Sequence, residues 1–261
     1  MSKMIDLRSD TVTLPSDKMR EAITSAKLGD DVFGEDPTIN ELEAKAAKIM
    51  GKEQGLLVPS GTMGNLVSIL VHCQRGTENI LGDKSHTFMY EAGGISAFGG
   101  IHSRQLKNQV DGTINIEDIH SAIRMDNVHF PKTAAITLEN THNLCNGAPL
   151  LPEYIHEVAQ IAHNNNMKLH IDGARIFNAA VSQGVDVKDL VTDADSVTFC
   201  LSKGLSAPVG SVICGNEEFI YRARRIRKAL GGGMRQAGII AAAGIVSLDK
   251  IIAQIQEDHQ N

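Results

Sequence analysis

A chain of 261 residues that is 42% hydrophobic and 21% charged has the composition of a globular protein with a sizeable core. Its formal charge of −6 argues against a nucleic-acid surface, where affinity comes from clustered lysine and arginine. No stretch predicts a membrane span or a signal peptide, and the four cysteines lack paired or metal-like spacing. We therefore expect a cytoplasmic protein with reduced core thiols and without a metal, membrane or nucleic-acid partner.

The N-terminal region predicts an arm and two helices. Residues 1–16 carry few helix signals and predict an extended arm, and Ser16 can cap the helix that follows. An acidic loop at 29–37 precedes residues 38–50, whose apolar positions have helical spacing.

A predicted strand at 54–58 runs into a turn of small residues and then an apolar helix at 66–71. Backbone N–H groups at Gly61 and Gly64, the Thr62 hydroxyl and the helix dipole would converge there, which suits a phosphate. The turn matches neither the Walker nor the dinucleotide glycine pattern. A purely structural glycine-rich helix start remains the alternative.

Histidines follow or precede predicted strands at three places. His86 comes just past a strand at 78–81, where an imidazole could stack on an aromatic ligand or move protons. The alternative is a loop histidine that a carbonyl satisfies. His129 and His142 flank the strand predicted at 133–138, and spacing alone does not decide whether either lines a pocket.

Asp172 ends a strand at 168–172 that should be central and buried. An unpaired carboxylate there would be unfavourable, so it needs a cationic partner, and a protonated pyridine nitrogen is one. Arg175 offers the forked donor that binds a substrate carboxylate through two hydrogen bonds. Alternatively, Asp172 and Arg175 pair with each other.

Lys203 lies in a turn of small residues between predicted strands at 197–201 and 210–214. A partly desolvated amine at a strand end can attack a carbonyl and form a Schiff base with a substrate or with pyridoxal phosphate. The alternative is a lysine whose amine reaches the surface from the strand end.

The predicted strands alternate with helices, which indicates an α/β fold with a mostly parallel sheet covered on both faces. A basic helix at 217–230, a glycine turn at 231–238 and a long helix at 239–259 complete the chain. The predicted strands span 54–58, 78–81, 133–138, 168–172, 197–201 and 210–214.

Six motifs in order closely resemble the low-specificity L-threonine aldolases. They are MIDLRSDTVT at 4–13, GDDVFGEDPT at 29–38, PSGTMGN at 59–65, HIDGAR at 170–175, FCLSKGL at 199–205 and GGGMRQ at 231–236. The resemblance implies a pyridoxal phosphate enzyme of the aspartate aminotransferase-like fold. It also implies a homo-oligomer, usually a tetramer, with active sites shared between subunits.

The resemblance assigns cofactor-binding roles to nine residues, one of which, Arg175, would also bind the substrate. Lys203 would form the Schiff base, Asp172 would hold the pyridinium nitrogen, and His86 would stack on the ring. The phosphate would be bound by Ser60, Gly61 and Thr62 of one subunit and by Arg235, with Lys228, of its neighbour.

The substrate carboxylate would be bound by Ser9 and Arg175, and His129 would be a second pocket histidine. The implied reaction cleaves L-threonine or L-allo-threonine to glycine and an aldehyde, in threonine catabolism and glycine biosynthesis. His86, or a water that it positions, would be the base. The alternatives are another pyridoxal phosphate enzyme on the same scaffold, such as a β-eliminating lyase, and a chain that is either a non-catalytic fragment or a subunit that assembles only with a complete partner.

The resemblance also divides the chain. We expect an N-terminal arm and helix start at 1–20, a cofactor-binding large domain at 21–250, and at 251–261 the start of a helix leading to a C-terminal subdomain. In the family that subdomain supplies a further carboxylate-binding arginine, and we expect residues 1–261 not to supply it.

Overall fold

The computed structural model describes residues 5–261, and for residues 250–252 it describes the helical backbone alone. Met4, the first residue of the first motif, lies outside the described residues. Residues 5–8 of the predicted arm are exposed, and a short 3₁₀ turn at Asp10–Val12 follows them.

A seven-stranded sheet forms the centre of the described chain, in the order β1-β7-β6-β5-β4-β2-β3. The strands are β1 (Gln54–Val58), β2 (Glu78–Gly82), β3 (His102–Leu106), β4 (Thr133–Glu139), β5 (Lys168–Asp172), β6 (Ser196–Cys200) and β7 (Ser211–Gly215). From β6 to β3 all neighbours are parallel, whereas β7 is antiparallel to both β1 and β6. The predicted mostly parallel sheet is confirmed.

Ten α-helices lie within residues 5–261. They are α1 (Asp17–Ser25), α2 (Pro37–Met50), α3 (Gly61–His72), α4 (His86–Met89), α5 (Gly94–Gly99), α6 (Ile116–Ala122), α7 (Pro152–Asn164), α8 (Ile176–Gln183), α9 (Glu217–Ala229) and α10 (Gly238–Asp258). The predicted cap of α1 is present, because the Ser16 hydroxyl accepts from the Met19 amide at 3.3 Å. Gly51, at φ +64°, ends α2 in the left-handed conformation that favours glycine.

Helices cover both faces of the sheet. Leu57 packs into the large cluster with α2, α7, α8 and α10, whereas its neighbours Leu56 and Val58 pack with α3 and α9. Successive side chains of a strand point to opposite faces, so the two clusters lie on opposite sides. The sheet is therefore buried between two helical layers, as predicted.

The structure differs from the sequence prediction in three elements. Strand β3 was not predicted, because its sequence, HSRQL, is polar and its side chains are partly exposed at the sheet edge. Helix α3 begins at Gly61 instead of residue 66, since Ser60 caps it. Helix α10 continues without a break through the predicted domain boundary at 250/251, and the domain limits stay a prediction.

The remaining sequence expectations concern thiols and membranes. All four cysteines are buried and none forms a disulfide. In the described part of the chain, no helix has both the length and the apolar character needed to cross a membrane. The cellular compartment stays a prediction.

Candidate active site

The predicted site residues meet at the end of the sheet where the parallel strands finish, its carboxyl edge. Strands β1, β2, β4, β5 and β6 share one direction, so their carboxyl ends meet at this edge. Ser60 follows β1, His86 follows β2, Asp172 and Arg175 lie at the end of β5, and Lys203 follows β6. In α/β proteins this edge is the usual place for ligands.

The first turn of α3 presents free backbone donors at this edge. The Ser60 hydroxyl accepts from the Met63 amide at 3.2 Å. Within residues 5–261, the amides of Gly61 and Thr62 have no hydrogen-bond partner. Free amides and the positive end of the helix dipole make this turn suitable for an anion.

Glycine is required in this turn because α3 packs closely on β6. A Cβ at Gly61 would lie 2.8 Å from the Cys200 sulfur, and a Cβ at Gly64 would overlap the Thr198 side chain. Larger residues would therefore push the free amides away from the ends of β6 and β7.

Asp172 is 3% exposed and accepts hydrogen bonds from neutral donors. Its Oδ2 accepts from the Asn65 amide nitrogen at 2.9 Å, and its Oδ1 from the backbone N–H of Ala174 at 3.2 Å. Among the residues that the structure describes, no lysine, arginine or histidine forms an ion pair with it. A buried carboxylate of this kind suits a cationic ligand group.

Arg175 pairs with the N-terminal arm and not with Asp172, so the alternative of a simple Asp172–Arg175 pair is wrong. Its Nε and Nη2 donate to the two carboxylate oxygens of Asp10, each at 2.7 Å. Although burial opposes the effect, the hydrogen bond and charge of Arg175 lower the pKa of Asp10. The pair fixes the arm beside the carboxyl end of β5.

Lys203 is half-buried in the loop between β6 and β7. The Thr13 hydroxyl donates to its backbone carbonyl at 2.8 Å, so the arm also holds this loop. Within residues 5–261 its amine forms no hydrogen bond or ion pair. The charge of Lys203 helps to lower the pKa of Asp10 and opposes the rise in the pKa of His86.

His86 is held by two acidic residues that the sequence analysis missed. Its Nδ1 lies 3.0 Å from Glu91 Oε1, and its backbone N–H donates to Glu139 Oε2 at 2.6 Å. The hydrogen bond to Glu91 raises the pKa of His86, against the opposing effect of burial. Because Nδ1 is bound to Glu91, Nε2 is the ring nitrogen left for a ligand.

Burial raises the pKa of both acidic residues that contact His86. It raises the pKa of Glu91 and, with the nearby charge of Asp172, raises the pKa of Glu139 to about 7. Asn65, also missed, donates from one amide nitrogen to Glu91 and to Asp172. A detectable signal existed for Glu139, which ends a strand, and for Asn65, a polar residue in an apolar helix.

Ligand atoms of His86, Glu91 and Asp172 all lie within 4.8 Å of one another, a spacing that metal sites also use. However, the Asn65 amide nitrogen donates to both carboxylates at 2.8 and 2.9 Å. A donor that already bridges two carboxylates disfavours a cation in the same position.

The other predicted residues are further from this cluster. Ser9 caps the turn that carries Asp10 and therefore lies at the site edge. Lys228 and Arg235 are exposed on either side of Gly232, which packs on Met63 in the first turn of α3, and Arg235 pairs with Asp30 at 3.1 Å. His129 is exposed before β4, at the opposite edge of the sheet, and its role stays a prediction.

The fold and the site together define a class of protein. A half-buried lysine, a buried carboxylate without a cationic partner and a helix start with free amides lie at one edge of an α/β sheet. This arrangement is typical of enzymes that hold a phosphorylated carbonyl cofactor on a lysine.

Comparison with known proteins agrees with this class. The family model described as "Beta-eliminating lyase" matches residues 6–261. Low-specificity L-threonine aldolase 1 of Arabidopsis thaliana is 54% identical over 99% of this chain and 73% of its own length. The low specificity L-threonine aldolase of Escherichia coli K12 is 49% identical over 99% of this chain and 77% of its own.

A solved structure of Leishmania major threonine aldolase has a TM-score of 0.80 at 18% identity, and the match covers 95% of this chain and 73% of that one. At this identity the likeness supports the fold alone. With the sequence relatives, however, the assignment is clear: the chain belongs to the β-eliminating lyase family and, within it, to the low-specificity L-threonine aldolases. Enzymes of this family are lyases that depend on pyridoxal phosphate.

Proposed function

We propose that this chain binds pyridoxal phosphate at the carboxyl edge of its sheet and cleaves L-threonine or L-allo-threonine to glycine and acetaldehyde. The observation that carries the proposal is the meeting of three groups at that edge. They are the free amine of Lys203, the buried Asp172 and the free amides of Gly61 and Thr62.

The residues at this edge fit the cofactor. Lys203 would bond to its aldehyde carbon, and Asp172 would face its protonated ring nitrogen. The amides of Gly61 and Thr62, with Ser60, would bind the phosphate through backbone donors and the helix dipole. When bound, pyridoxal phosphate supplies an electron sink for the electron pair of the bond that breaks.

In the proposed cleavage, the Cα–Cβ bond of threonine breaks and the β-hydroxyl loses its proton. Cβ and its oxygen leave as the aldehyde, and Cα takes up a proton to give glycine. His86 Nε2, or a water bound to it, would accept the hydroxyl proton, because Nδ1 is fixed by Glu91. His129 stays a second pocket candidate.

Arg175 and Ser9 would bind the substrate carboxylate. Arg175 has the planar fork that carboxylates match, and Ser9 is adjacent to the residue that Arg175 now contacts. Asp10 would therefore compete with the substrate for the guanidinium.

We also propose a homo-oligomer with shared active sites. Lys228 and Arg235 lie at the site edge, but their side chains are exposed and Arg235 faces Asp30. Exposed basic groups near the start of α3 suit the phosphate of a neighbouring subunit. His129, at the opposite sheet edge, could likewise meet only another copy's site.

The test combines cofactor binding with product analysis. We expect the purified chain to gain a visible absorbance band with pyridoxal phosphate and to release glycine and acetaldehyde from threonine. Lys203→Ala should lose the band and the products, whereas Lys188→Ala, a control far from the site edge, should keep both. 2-Oxobutyrate and ammonia in place of glycine and acetaldehyde would instead identify a β-eliminating lyase, and bound cofactor without turnover would identify a non-catalytic chain.

A further inference from the structure

A line of buried polar side chains runs through the core directly behind the proposed site. Asn65, His170 and Ser196, on α3, β5 and β6, are each at most 1% exposed. His170 Nε2 lies 3.1 Å from Asn65 Oδ1, and His170 Nδ1 lies 2.8 Å from the Ser196 hydroxyl. The same hydroxyl lies 2.7 Å from Nε2 of His72 on α3. Uninterrupted hydrogen bonds in a dry core indicate a fixed arrangement.

The carboxylates at the site end of this line determine the orientation of Asn65. Its amide nitrogen lies 2.8 Å from Glu91 Oε1 and 2.9 Å from Asp172 Oδ2. Carboxylate oxygens accept hydrogen bonds, so the NH₂ group of Asn65 must face them. The flipped amide would place its carbonyl oxygen against two carboxylates and is excluded.

Once Asn65 is oriented, every other donor in the line is determined. Asn65 Oδ1 can only accept, so His170 carries its proton on Nε2 and accepts at Nδ1 from the Ser196 hydroxyl. The Ser196 oxygen then accepts from the Nε2–H of His72. Burial lowers the pKa of His170 to about 3 and that of His72 to about 4, which agrees with two neutral rings. All donors in the line therefore point toward the site.

We propose that Asn65 is a positioning residue that holds the carboxylates of Asp172 and Glu91 as acceptors, and that His170 and Ser196 fix its amide. This inference rests on the proposed function, because Asp172 is the group assigned to the ring nitrogen. Through Glu91, the same amide also positions the His86 ring. One buried amide thus links the acid that faces the cofactor with the imidazole that faces the substrate.

The first test needs no cofactor. Nitrogen-15 NMR of the histidine rings, assigned with single His→Gln variants, should show His170 and His72 neutral at pH 6 with the proton on Nε2. A proton on Nδ1 of His170 would overturn the proposal. This result is independent of whether the chain cleaves threonine.

The second test measures pyridoxal phosphate affinity by fluorescence titration. Asn65→Asp loses the NH₂ donor and adds a third carboxylate, so we expect the dissociation constant to rise by at least about 10-fold. Ser68→Ala is the matched control: this serine is on the same helix but donates to the Gly64 carbonyl, and its loss should leave the affinity unchanged.

If Asn65→Asp does not fold, His170→Phe keeps the ring volume while removing the donor to Asn65 Oδ1. We expect it to weaken cofactor binding by about 3-fold and to shift the visible absorbance band, because the buried Asn65 oxygen loses its donor and the amide is then held only by the two carboxylates. Unchanged affinity and spectrum in both variants would overturn the proposal. A parent chain that binds no cofactor would overturn the proposed function, and the NMR result would still decide this inference.

Discussion

Arg175 donates from Nε and Nη2 to the two carboxylate oxygens of Asp10, so a substrate carboxylate bound at the proposed Arg175 site would compete with a carboxylate that is already present. The Arg175–Asp10 ion pair is partly buried, so it is stronger than a fully exposed pair, although water still reaches it. The pKa of Asp10 is lowered in the folded chain. The ion pair therefore stabilises the fold fully at pH values above the ordinary aspartate pKa. This stabilisation is lost as the pH falls through the lowered pKa of Asp10. Near neutral pH the competitor is fully charged.

We expect Asp10→Asn to lower the KM for threonine by about 2- to 10-fold, because a neutral acceptor competes less well for the guanidinium. Arg175→Met should raise KM by about 10- to 100-fold, because it removes the fork while keeping much of the side-chain volume. Steady-state kinetics on both variants checks this. If both substitutions raise KM alike, the pair is a structural unit and Arg175 does not bind the substrate.

The positions of single site residues were predictable where a chemically suitable side chain follows a recognisable buried strand. Asp172 and Lys203 follow apolar runs that read as buried strands, and both lie at the predicted edge. Glu91 was not predictable, because it lies in a glycine-rich segment and contacts Asn65 only through the packing of that segment on α3. The partner of Arg175 was equally hidden, since Asp10 is 165 positions away in the chain.

At the scale of elements, helix α9, strand β1 and the acidic loop before α2 meet at a buried ion pair. Arg227 Nη2 donates to Asp31 Oδ2 at 2.6 Å, and Nη1 donates to the carbonyl of Leu57 at 2.6 Å. Both side chains of the ion pair are nearly inaccessible. The neighbouring Arg224 is 40% exposed and pairs with Glu43 at 2.9 Å and, at 3.6 Å, with Asp31, which offers a comparison within the same cluster.

We expect Arg227→Met to lower the free energy of unfolding by about 3–5 kcal/mol, because it leaves the Asp31 charge buried with only the more distant Arg224 guanidinium near it. Arg224→Met should have the smaller effect, about 1 kcal/mol, because Arg224 is 40% exposed and water partly screens its charge, although Glu43 is buried. Adding Asp31→Asn to Arg227→Met should recover part of the loss. Urea unfolding followed by circular dichroism measures all three, and equal small effects for the two arginines would contradict the expectation.

Strands and helices were predictable from the sequence where their apolar residues form a clear pattern. Six of the seven strands contain runs of buried residues, and the predicted bounds of all six agree with the observed bounds to within one residue. The polar edge strand β3 pairs only with β2, so its sequence lacks a core signature. Helix α3 starts five residues before its apolar run, because the cap at Ser60 and the tight glycines determine where it begins.

At the scale of the whole molecule, the single chain gathers Lys203, His86 and Asp172 at one edge but leaves Arg235 exposed there and His129 at the other edge. The proposed sharing of active sites between subunits would account for both positions. Sequence predicted the parallel sheet and its ligand edge, since these follow from alternating strands and helices. The assembly does not follow from the fold of one chain, because it depends on surfaces that local patterns do not specify.

We expect Lys203→Ala and Arg235→Ala, each nearly inactive, to regain activity when co-expressed. In a mixed dimer with shared sites, one site carries both defects and the other carries neither, so random pairing gives about a quarter of the parent activity. Threonine cleavage by the purified mixture measures this.

The matched control mixes Lys203→Ala with Asp172→Ala. Both residues belong to the same edge of one chain, so every site in a mixed dimer keeps one defect and no activity should return. Recovery in the control, or none with Arg235→Ala, would contradict shared sites.

The order of the strands has a consequence for redesign. The start of α3 follows β1, the lysine loop follows β6, and Asp172 ends the next strand, so the lysine is two strands from the anion site and one from the carboxylate. Strand spacing of about 4.8 Å comes from backbone hydrogen bonds, which side-chain substitutions do not change. Point mutations can therefore alter which groups a ligand contacts, but not the length of ligand that spans these positions. A longer or shorter carbonyl cofactor would require a rebuilt loop between β6 and β7.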